Sequence, residues 1–215
     1  MKPLLIYCYD AYCGWCYGFS GVMNQLVNNY ASKLQFEVLS GGMVIADKPA
    51  HVGVMANYIL SAIPTVEKAT GVKFGDDYTW HLKNPDQSDW FPSSEKPAIA
   101  LSIIKETMPT IATFFASDLQ TSLFSEGRDL TDDEAYRHLL EKYDIEPDGF
   151  YKNLKSDTYK QKAYYDFSLC KQLKVTGFPT VFVQAPDETF YVVARGYTNY
   201  DTLQKNVEAV LAKIN

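Results

Sequence analysis

The sequence predicts an α/β fold in which a long helical stretch interrupts a small sheet. An apolar strand, a helix and a second strand follow one another within the first 40 residues. Residues 47–156 then show helical spacing without a strong strand pattern. Two more strands and a helix close the chain, which at 215 residues is long enough to bury a sizeable core.

The first part of the sheet is predicted as a βαβ unit. A nearly continuous apolar run at 3–10 is typical of a strand buried on both faces. A helix at 14–31 and an alternating strand at 35–39 follow, which predicts two parallel strands. The loop 41–43 then either approaches the site at the carboxyl ends of the strands or forms a plain turn.

The middle of the chain is predicted to hold five helices. Their signals are apolar spacing near 50–70, 93–107 and 109–125, a capping box at Thr131–Glu134 opening a helix to about Tyr143, and a short helix from Pro147. Five such helices cannot hide every apolar face among themselves. We therefore expect them to pack over the sheet and to roof the site.

One segment of this stretch has little periodicity. Residues 75–92 hold four aromatic side chains among Gly, Asp, Asn and Pro, which predicts an irregular loop. Its aromatic side chains either line a groove for the apolar side chains of an unfolded protein or anchor the loop to the core. Ser93 and Ser94 are expected to cap the next helix.

The end of the chain returns to the sheet. Asp157 is expected to cap a helix to about Lys174, before strands at 179–184 and 189–195 and a closing helix at 199–213. The predicted domains are therefore 1–46 plus 157–215, which form the core, and an inserted helical domain at 47–156.

The pair Cys13 and Cys16 is the strongest chemical signal in the sequence. It has the spacing Cys-x-x-Cys and lies where the first strand passes into a helix. Unpaired N–H groups and the positive end of the helix dipole favour a negative charge at that position. Because the thiolate is the reactive form of cysteine, Cys13 is the candidate nucleophile. Cys16, one turn on, could close a disulfide with it.

Two other interpretations of the pair are weaker. A zinc site needs four ligands, and the remaining candidates (Cys8, Cys170 and three histidines) form no second close pair. Cys8 and Cys170 both read as buried core residues. A purely structural disulfide would close a very short loop and would stabilise the fold little. The context of strand, turn and helix favours reversible thiol chemistry, so no metal is expected.

A second motif lies at 175–183, where Pro179 directly precedes an apolar strand. Proline cannot donate to a strand ladder, so this position indicates either a simple turn or a cis peptide bond leading into the strand. A cis bond would leave the backbone of Phe178 free to pair with an extended peptide. Together with the cysteine pair, the cis interpretation is favoured.

The two motifs together resemble the thioredoxin superfamily, with Cys13–Cys16 as its active-site motif and Thr176–Thr180 as its cis-Pro loop. From Cys16 to Pro179 the separation is 179 − 16 = 163 positions, which is too long for a plain thioredoxin. The chain is similar to the DsbA family, which carries a helical domain inserted in a thioredoxin-like core. Its cytoplasmic branch, with FrnE-like oxidoreductases and 2-hydroxychromene-2-carboxylate isomerases, is the most similar.

The resemblance implies a thiol–disulfide oxidoreductase, a protein disulfide reductase or isomerase. Its partners would be protein or peptide thiols and disulfides; it implies no cofactor, with glutathione as a candidate redox partner. An exposed Cys13 would attack and a more buried Cys16 would resolve the mixed disulfide. It assigns catalysis to Cys13 and Cys16, and substrate contacts to Gly14, Trp15, Phe178 and Pro179.

The chain departs from the family pattern at two places. Tyr7 stands where many thioredoxins bury an acid, and a phenol does not ionise near neutral pH. Asp10 is nearer the motif and is expected to end the strand or to cap a turn. The cysteines enclose Gly-Trp and not the histidine of the periplasmic oxidant, so we expect a less oxidising pair.

Composition excludes several classes of partner. The net charge is −6 without a basic cluster, which makes nucleic acid and anionic membranes poor partners. No stretch approaches the length of a membrane span. If Met1 is the native start, the first strand follows without a leader and the protein is expected in the cytoplasm. There a Cys-x-x-Cys pair is kept largely reduced.

Two rival functions share the fold. A glutathione-dependent isomerase or kappa-type glutathione transferase usually has serine at the first cysteine position, so the presence of both cysteines argues against it. A non-enzymatic adaptor should keep its function when Cys13 and Cys16 are replaced by serine.

Overall fold

The computed structural model describes residues 2–214. Its sheet has the order β2-β1-β3-β4, in which β1 and β2 are parallel and the other neighbouring pairs are antiparallel. The strands are β1 (Leu4–Tyr9), β2 (Gln35–Ser40), β3 (Thr180–Gln184) and β4 (Phe190–Arg195). The central strand β1 is buried on both faces, as its continuous apolar run predicts.

Nine α-helices lie within the described residues. They are α1 (Gly14–Tyr30), α2 (Gly53–Thr70), α3 (Asp76–Lys83), α4 (Glu95–Thr107), α5 (Ala112–Phe124), α6 (Arg137–Lys142), α7 (Pro147–Leu154), α8 (Asp157–Gln172) and α9 (Tyr200–Ile214). Short 3₁₀ turns occupy Pro85–Gln87, Pro109–Ile111 and Asp133–Tyr136. None of the described helices is both long enough and apolar enough to cross a membrane.

The inserted helices share one hydrophobic core with the sheet. Leu5, Tyr7 and Tyr9 on one face of β1 belong to the same buried cluster as the apolar side chains of α4 and α5. Helix α5 packs directly on α1, where Asn24 donates a hydrogen bond to Ser117 over 3.2 Å. The α/β class with a helical insertion is therefore confirmed, whereas the domain boundaries at 46/47 and 156/157 stay a prediction.

The opposite face of the sheet packs on α8. Cys8 lies there in a small apolar cluster that also includes Cys170. An ion pair on the same side joins three elements, because Lys105 of α4 contacts Glu37 of β2 over 2.5 Å and Asp166 of α8 over 2.9 Å. Asp166 also accepts a hydrogen bond from the backbone of Ser40 over 3.3 Å.

Four local expectations are wrong. The segment 75–92 is not irregular, because α3 and a 3₁₀ turn occupy most of it. The residue that caps the turn at 133–136 is Asp132, whereas the Thr131 hydroxyl bonds to Asp129. Helix α8 is capped by Ser156 and not by Asp157. The insertion also holds six α-helices where five were expected.

Candidate active site

Cys13 is the N-cap residue of α1. A tight turn follows β1, in which the carbonyl of Asp10 accepts a hydrogen bond from Cys13 N–H over 3.1 Å. Cys13 itself has an extended backbone, and its sulfur accepts a hydrogen bond from the N–H of Cys16 over 3.4 Å. This is how a capping side chain satisfies an otherwise unpaired N–H group. The contact, together with the helix dipole, favours negative charge on the sulfur.

The Cys13 thiol also faces the loop before β3. Its Sγ donates to the carbonyl oxygen of Phe178 over 3.5 Å, and the Phe178–Pro179 peptide bond is cis. The sequence led us to expect an exposed Cys13, and this is wrong, since only 6 % of the residue is exposed. The turn and the Phe178 loop enclose it from two sides.

Cys16 lies one turn deeper and is fully buried. Burial raises the pKa of its thiol well above the ordinary value, and the neighbouring Cys13 raises it further. The Tyr7 hydroxyl is buried beside Cys16 without a well-formed hydrogen bond. Burial, and then the two thiols, raise the pKa of Tyr7. Both Cys16 and Tyr7 are therefore protonated near neutral pH while the pair is reduced.

The Asp10 side chain binds the turn between β1 and α1. Its carboxylate accepts hydrogen bonds from the backbone N–H of Tyr12 (3.0 Å), from the N–H of Met43 (2.7 Å) and from the Ser94 hydroxyl (2.9 Å). It thus caps the turn, as one of the two sequence expectations proposed, and also binds the loop after β2. Burial raises the pKa of Asp10, although the hydrogen bonds that it accepts oppose this effect.

Ser94 stands at the N-cap position of α4, where the sequence places a cap, but its hydroxyl does not cap the helix. It donates to Asp10 and accepts from Val44 N–H over 3.0 Å. Ser93 accepts from Glu95 N–H instead. The insertion is thereby fastened to the active-site turn by a polar contact that no local sequence pattern indicates.

Gln120 of α5 makes a second such contact. Its amide nitrogen donates to the backbone carbonyls of Asp10 (3.0 Å) and Cys13 (3.3 Å). Its amide oxygen accepts from the Ser20 hydroxyl over 2.7 Å, and the carbonyl of Cys16, 3.1 Å from the same hydroxyl, shares that single hydrogen. The sequence analysis missed Gln120 and Ser20, because the bond from Gln120 to Cys13 spans 107 positions.

The other residues proposed for the site lie near the Cys13 turn and the Phe178 loop. Trp15 is half-buried and its ring centre lies 6.4 Å from that of Tyr197. Gly14 lies against the ring of Phe74. Gly41, in the loop after β2, has no room for a side chain, because an added Cβ would overlap the Phe178 ring. The structure thus brings the two cysteines, Gly14, Trp15 and the Phe178–Pro179 bond together.

The aromatic segment behaves in two ways. Tyr78 and Trp90 are buried and anchor the segment to the core, whereas Trp80 and Phe91 are exposed. His81 stacks on Trp90 with ring centres 3.9 Å apart. The expectation that these aromatic side chains anchor the segment to the core therefore holds for Tyr78 and Trp90. It does not hold for the exposed Trp80 and Phe91.

Cys8 and Cys170 are both buried, as expected, and lie away from the site on the opposite face of the sheet. Cys170 contacts the carbonyl of Ser40 with its sulfur at 3.6 Å. Contact with Cys170 and burial raise the pKa of Cys8. Over residues 2–214 no group of three or more His, Cys, Asp or Glu side chains is placed to hold a metal ion. Cys13 and Cys16 there lack the further ligands that a zinc site needs.

Comparison with known proteins decides the family. Residues 5–208 match the model of the DSBA-like thioredoxin domain. The chain belongs to this family. No match was found among curated proteins. The DSBA-like assignment therefore rests on the family match.

Three solved structures illustrate the shared fold. A candidate protein disulfide isomerase from Nitrosomonas europaea is 21 % identical with a TM-score of 0.87, and all of both chains is covered. The cytosolic disulfide reductase DsbM from Pseudomonas aeruginosa is 21 % identical with a TM-score of 0.77, and 98 % of this chain and 99 % of DsbM are covered. A 2-hydroxychromene-2-carboxylate isomerase is 12 % identical with a TM-score of 0.65, covering 98 % and 95 % of the two chains.

Proposed function

We propose that this DSBA-like protein is a thiol–disulfide oxidoreductase that reduces or isomerises protein and peptide disulfides through Cys13 and Cys16. One observation carries the proposal. The Cys13 sulfur accepts the N–H of Cys16 at the first turn of a helix and faces the carbonyl of Phe178. A thiol in this position can become a stabilised nucleophile with a second thiol directly behind it.

The proposed exchange has two steps. Cys13, as thiolate, attacks one sulfur of the client disulfide, forms a mixed disulfide and releases the first client thiolate. Cys16 then loses its proton and attacks the Cys13 sulfur, which releases the second client thiolate. The client gains two electrons and, with two protons, becomes a dithiol, and the protein pair becomes a disulfide. Reversal of the steps would donate a disulfide.

Phe178 and Trp15 are proposed to hold the client beside the Cys13 thiol. The Phe178 carbonyl, which bonds to the Cys13 thiol in the free protein, would accept an N–H group of an extended client segment. The half-buried indole of Trp15 offers an apolar surface beside it. Gly14, between the cysteine and this indole, lies against the Phe74 ring.

Glutathione is the proposed electron donor. One structure of DsbM, 20 % identical to this chain with a TM-score of 0.72, holds glutathione. Two glutathione molecules would reduce the Cys13–Cys16 disulfide and leave as oxidised glutathione, which balances the electrons given to the client. DsbM is described as cytosolic, which supports a reducing compartment for this protein too.

The assignment is tested by insulin reduction with three serine variants. Cys13→Ser should abolish turnover, and Cys16→Ser should stop at a trapped mixed disulfide. Cys170→Ser removes a buried thiol on the other face of the sheet and is the matched control, for which turnover should persist. Near wild-type turnover by Cys13→Ser would refute the proposal.

A glutathione-dependent isomerase is the second candidate, because the 2-hydroxychromene-2-carboxylate isomerase shares the fold. Such an enzyme would bind glutathione but would not need the second thiol. Isomerisation of a hydroxychromene substrate that survives Cys16→Ser would favour this candidate. If the wild type reduces insulin and does not isomerise the hydroxychromene substrate, the oxidoreductase is favoured.

A further inference from the structure

Asp10 places a buried carboxylate beside the cysteine pair, outside the Cys-x-x-Cys motif. Only 1 % of the residue is exposed. Its backbone carbonyl holds the N–H of Cys13, and its carboxylate accepts three hydrogen bonds. None of the ion pairs in the described part of the chain involves it. Burial raises the pKa of Asp10, and hydrogen-bond donors, not a cation, oppose that effect.

We propose that the Asp10 carboxylate shifts the equilibrium of Cys13 and Cys16 toward the disulfide and so makes the reduced pair a stronger reductant. This inference rests on the proposed function, and it favours reduction of the client over donation of a disulfide to it. A fixed negative charge in a poorly solvated site repels a thiolate, whereas it does not repel an uncharged disulfide. The reduced form therefore loses stability relative to the oxidised form, and the pair gives up two electrons more readily.

The groups around this carboxylate do not cancel its charge. The titratable neighbours of Asp10 and the pair are phenols and the thiols themselves: Tyr7, Tyr9, Tyr12, Cys13 and Cys16. Burial raises the pKa of each of the three phenols, so they remain uncharged near neutral pH. Asp129, beyond Tyr12, adds further negative charge. Helices α4 and α5 contribute Ser94 and Gln120, which do not titrate.

The experiment compares Asp10→Asn with the wild type in glutathione redox buffers, with the dithiol fraction read by acid quenching and alkylation. We expect the equilibrium constant of Asp10→Asn to move toward the dithiol by about tenfold, or about 30 mV. The difference should grow as the pH rises from about 6 to about 8.5, because only the thiolate is repelled. Identical equilibria for the two proteins throughout this range would overturn the proposal.

Asp166→Asn is the matched control. Asp166 is also a buried carboxylate, 4 % exposed, but it lies on the other face of the sheet and pairs with Lys105. Its loss should lower stability while the glutathione equilibrium stays within about twofold of the wild type. An equal shift in both variants would show that the effect of Asp10→Asn is structural, and it would overturn the inference.

A measurement on the wild type covers the case in which Asp10→Asn fails to fold. Coupling is reciprocal, so the Asp10 carboxylate must sense the charge of a thiolate in the pair as much as it disfavours that thiolate. In the dithiol form the carboxyl ¹³C resonance of Asp10 should therefore shift as the pair ionises at alkaline pH, whereas the disulfide form should show no such step. A dithiol form without this step would overturn the inference. A shifted equilibrium without client turnover would support the charge effect and refute the proposed function instead.

Discussion

Replacement of Gln120 by leucine tests whether the insertion holds the active-site turn in place. The amide of Gln120 is buried and makes three hydrogen bonds, two to backbone carbonyls of the turn and one to Ser20. Leucine has a similar volume, so the change removes polar contacts without opening a large cavity. Each bond contributes about 0.5–1.5 kcal/mol net to stability.

The structure places the total free-energy loss in the lower half of the simple sum of about 1.5–4.5 kcal/mol. All three partners keep another hydrogen bond: the Asp10 carbonyl with Cys13 N–H, the Cys13 carbonyl with Tyr17 N–H, and the Ser20 hydroxyl with the carbonyl of Cys16. No partner is therefore left wholly unsatisfied. We expect Gln120→Leu to lower the free energy of unfolding by about 2–3 kcal/mol.

Urea denaturation followed by circular dichroism and by tryptophan fluorescence measures this loss, and agreement between the two probes tests the two-state assumption. Gln172→Leu is the control, since that amide is exposed and makes a single contact, to Ser168 over 3.2 Å. The control should stay within about 0.5 kcal/mol of the wild type. A loss in Gln120→Leu no larger than that of the control would show that the contacts do not hold the turn.

Three further predictions concern the site itself. Gly41→Ala should displace the Phe178 ring and slow client turnover. Gly177→Ala has open space around the added methyl group and should leave client turnover unchanged. Equal turnover rates of the two variants would contradict the proposed role of the Phe178 loop. Tyr7→Phe should change the free energy of unfolding by less than about 1 kcal/mol in urea denaturation, because the hydroxyl lacks a well-formed partner; a larger loss would reveal a missed hydrogen bond. Because burial raises its pKa, Cys16 in the Cys13→Ser variant should react with iodoacetamide only at alkaline pH; half-maximal reaction below about pH 8.5 would contradict this.

The sheet was predictable from the sequence because its signals are local. All four strands lie within one residue of the predicted bounds, since a run of alternating or continuous apolar residues fixes a strand without knowledge of its neighbours. Helix α3 was missed, because its eight residues are mostly polar and only Tyr78, Thr79 and Leu82 are buried. A helix this short owes its stability to tertiary packing and not to its own pattern.

The residues of the candidate site were likewise predictable only where their signals are local in the sequence. Cys13 and Cys16 are recognisable because three positions place them on one helical turn, and the loop around Pro179 stands out by its proline. Gln120 and Ser94 could not be found, because each meets the turn only after the chain has folded back over roughly a hundred positions. Their polar side chains look like ordinary helix and cap residues until the partner is known.

Mapping of the mixed disulfide tests the central claim most directly. The Cys16→Ser variant is mixed with an oxidised client peptide, quenched in acid, and the cross-linked peptides are identified by mass spectrometry. The account predicts that the client sulfur is joined to Cys13. A client joined to Cys8 or Cys170, or no adduct in a variant that still consumes the client disulfide, would contradict it.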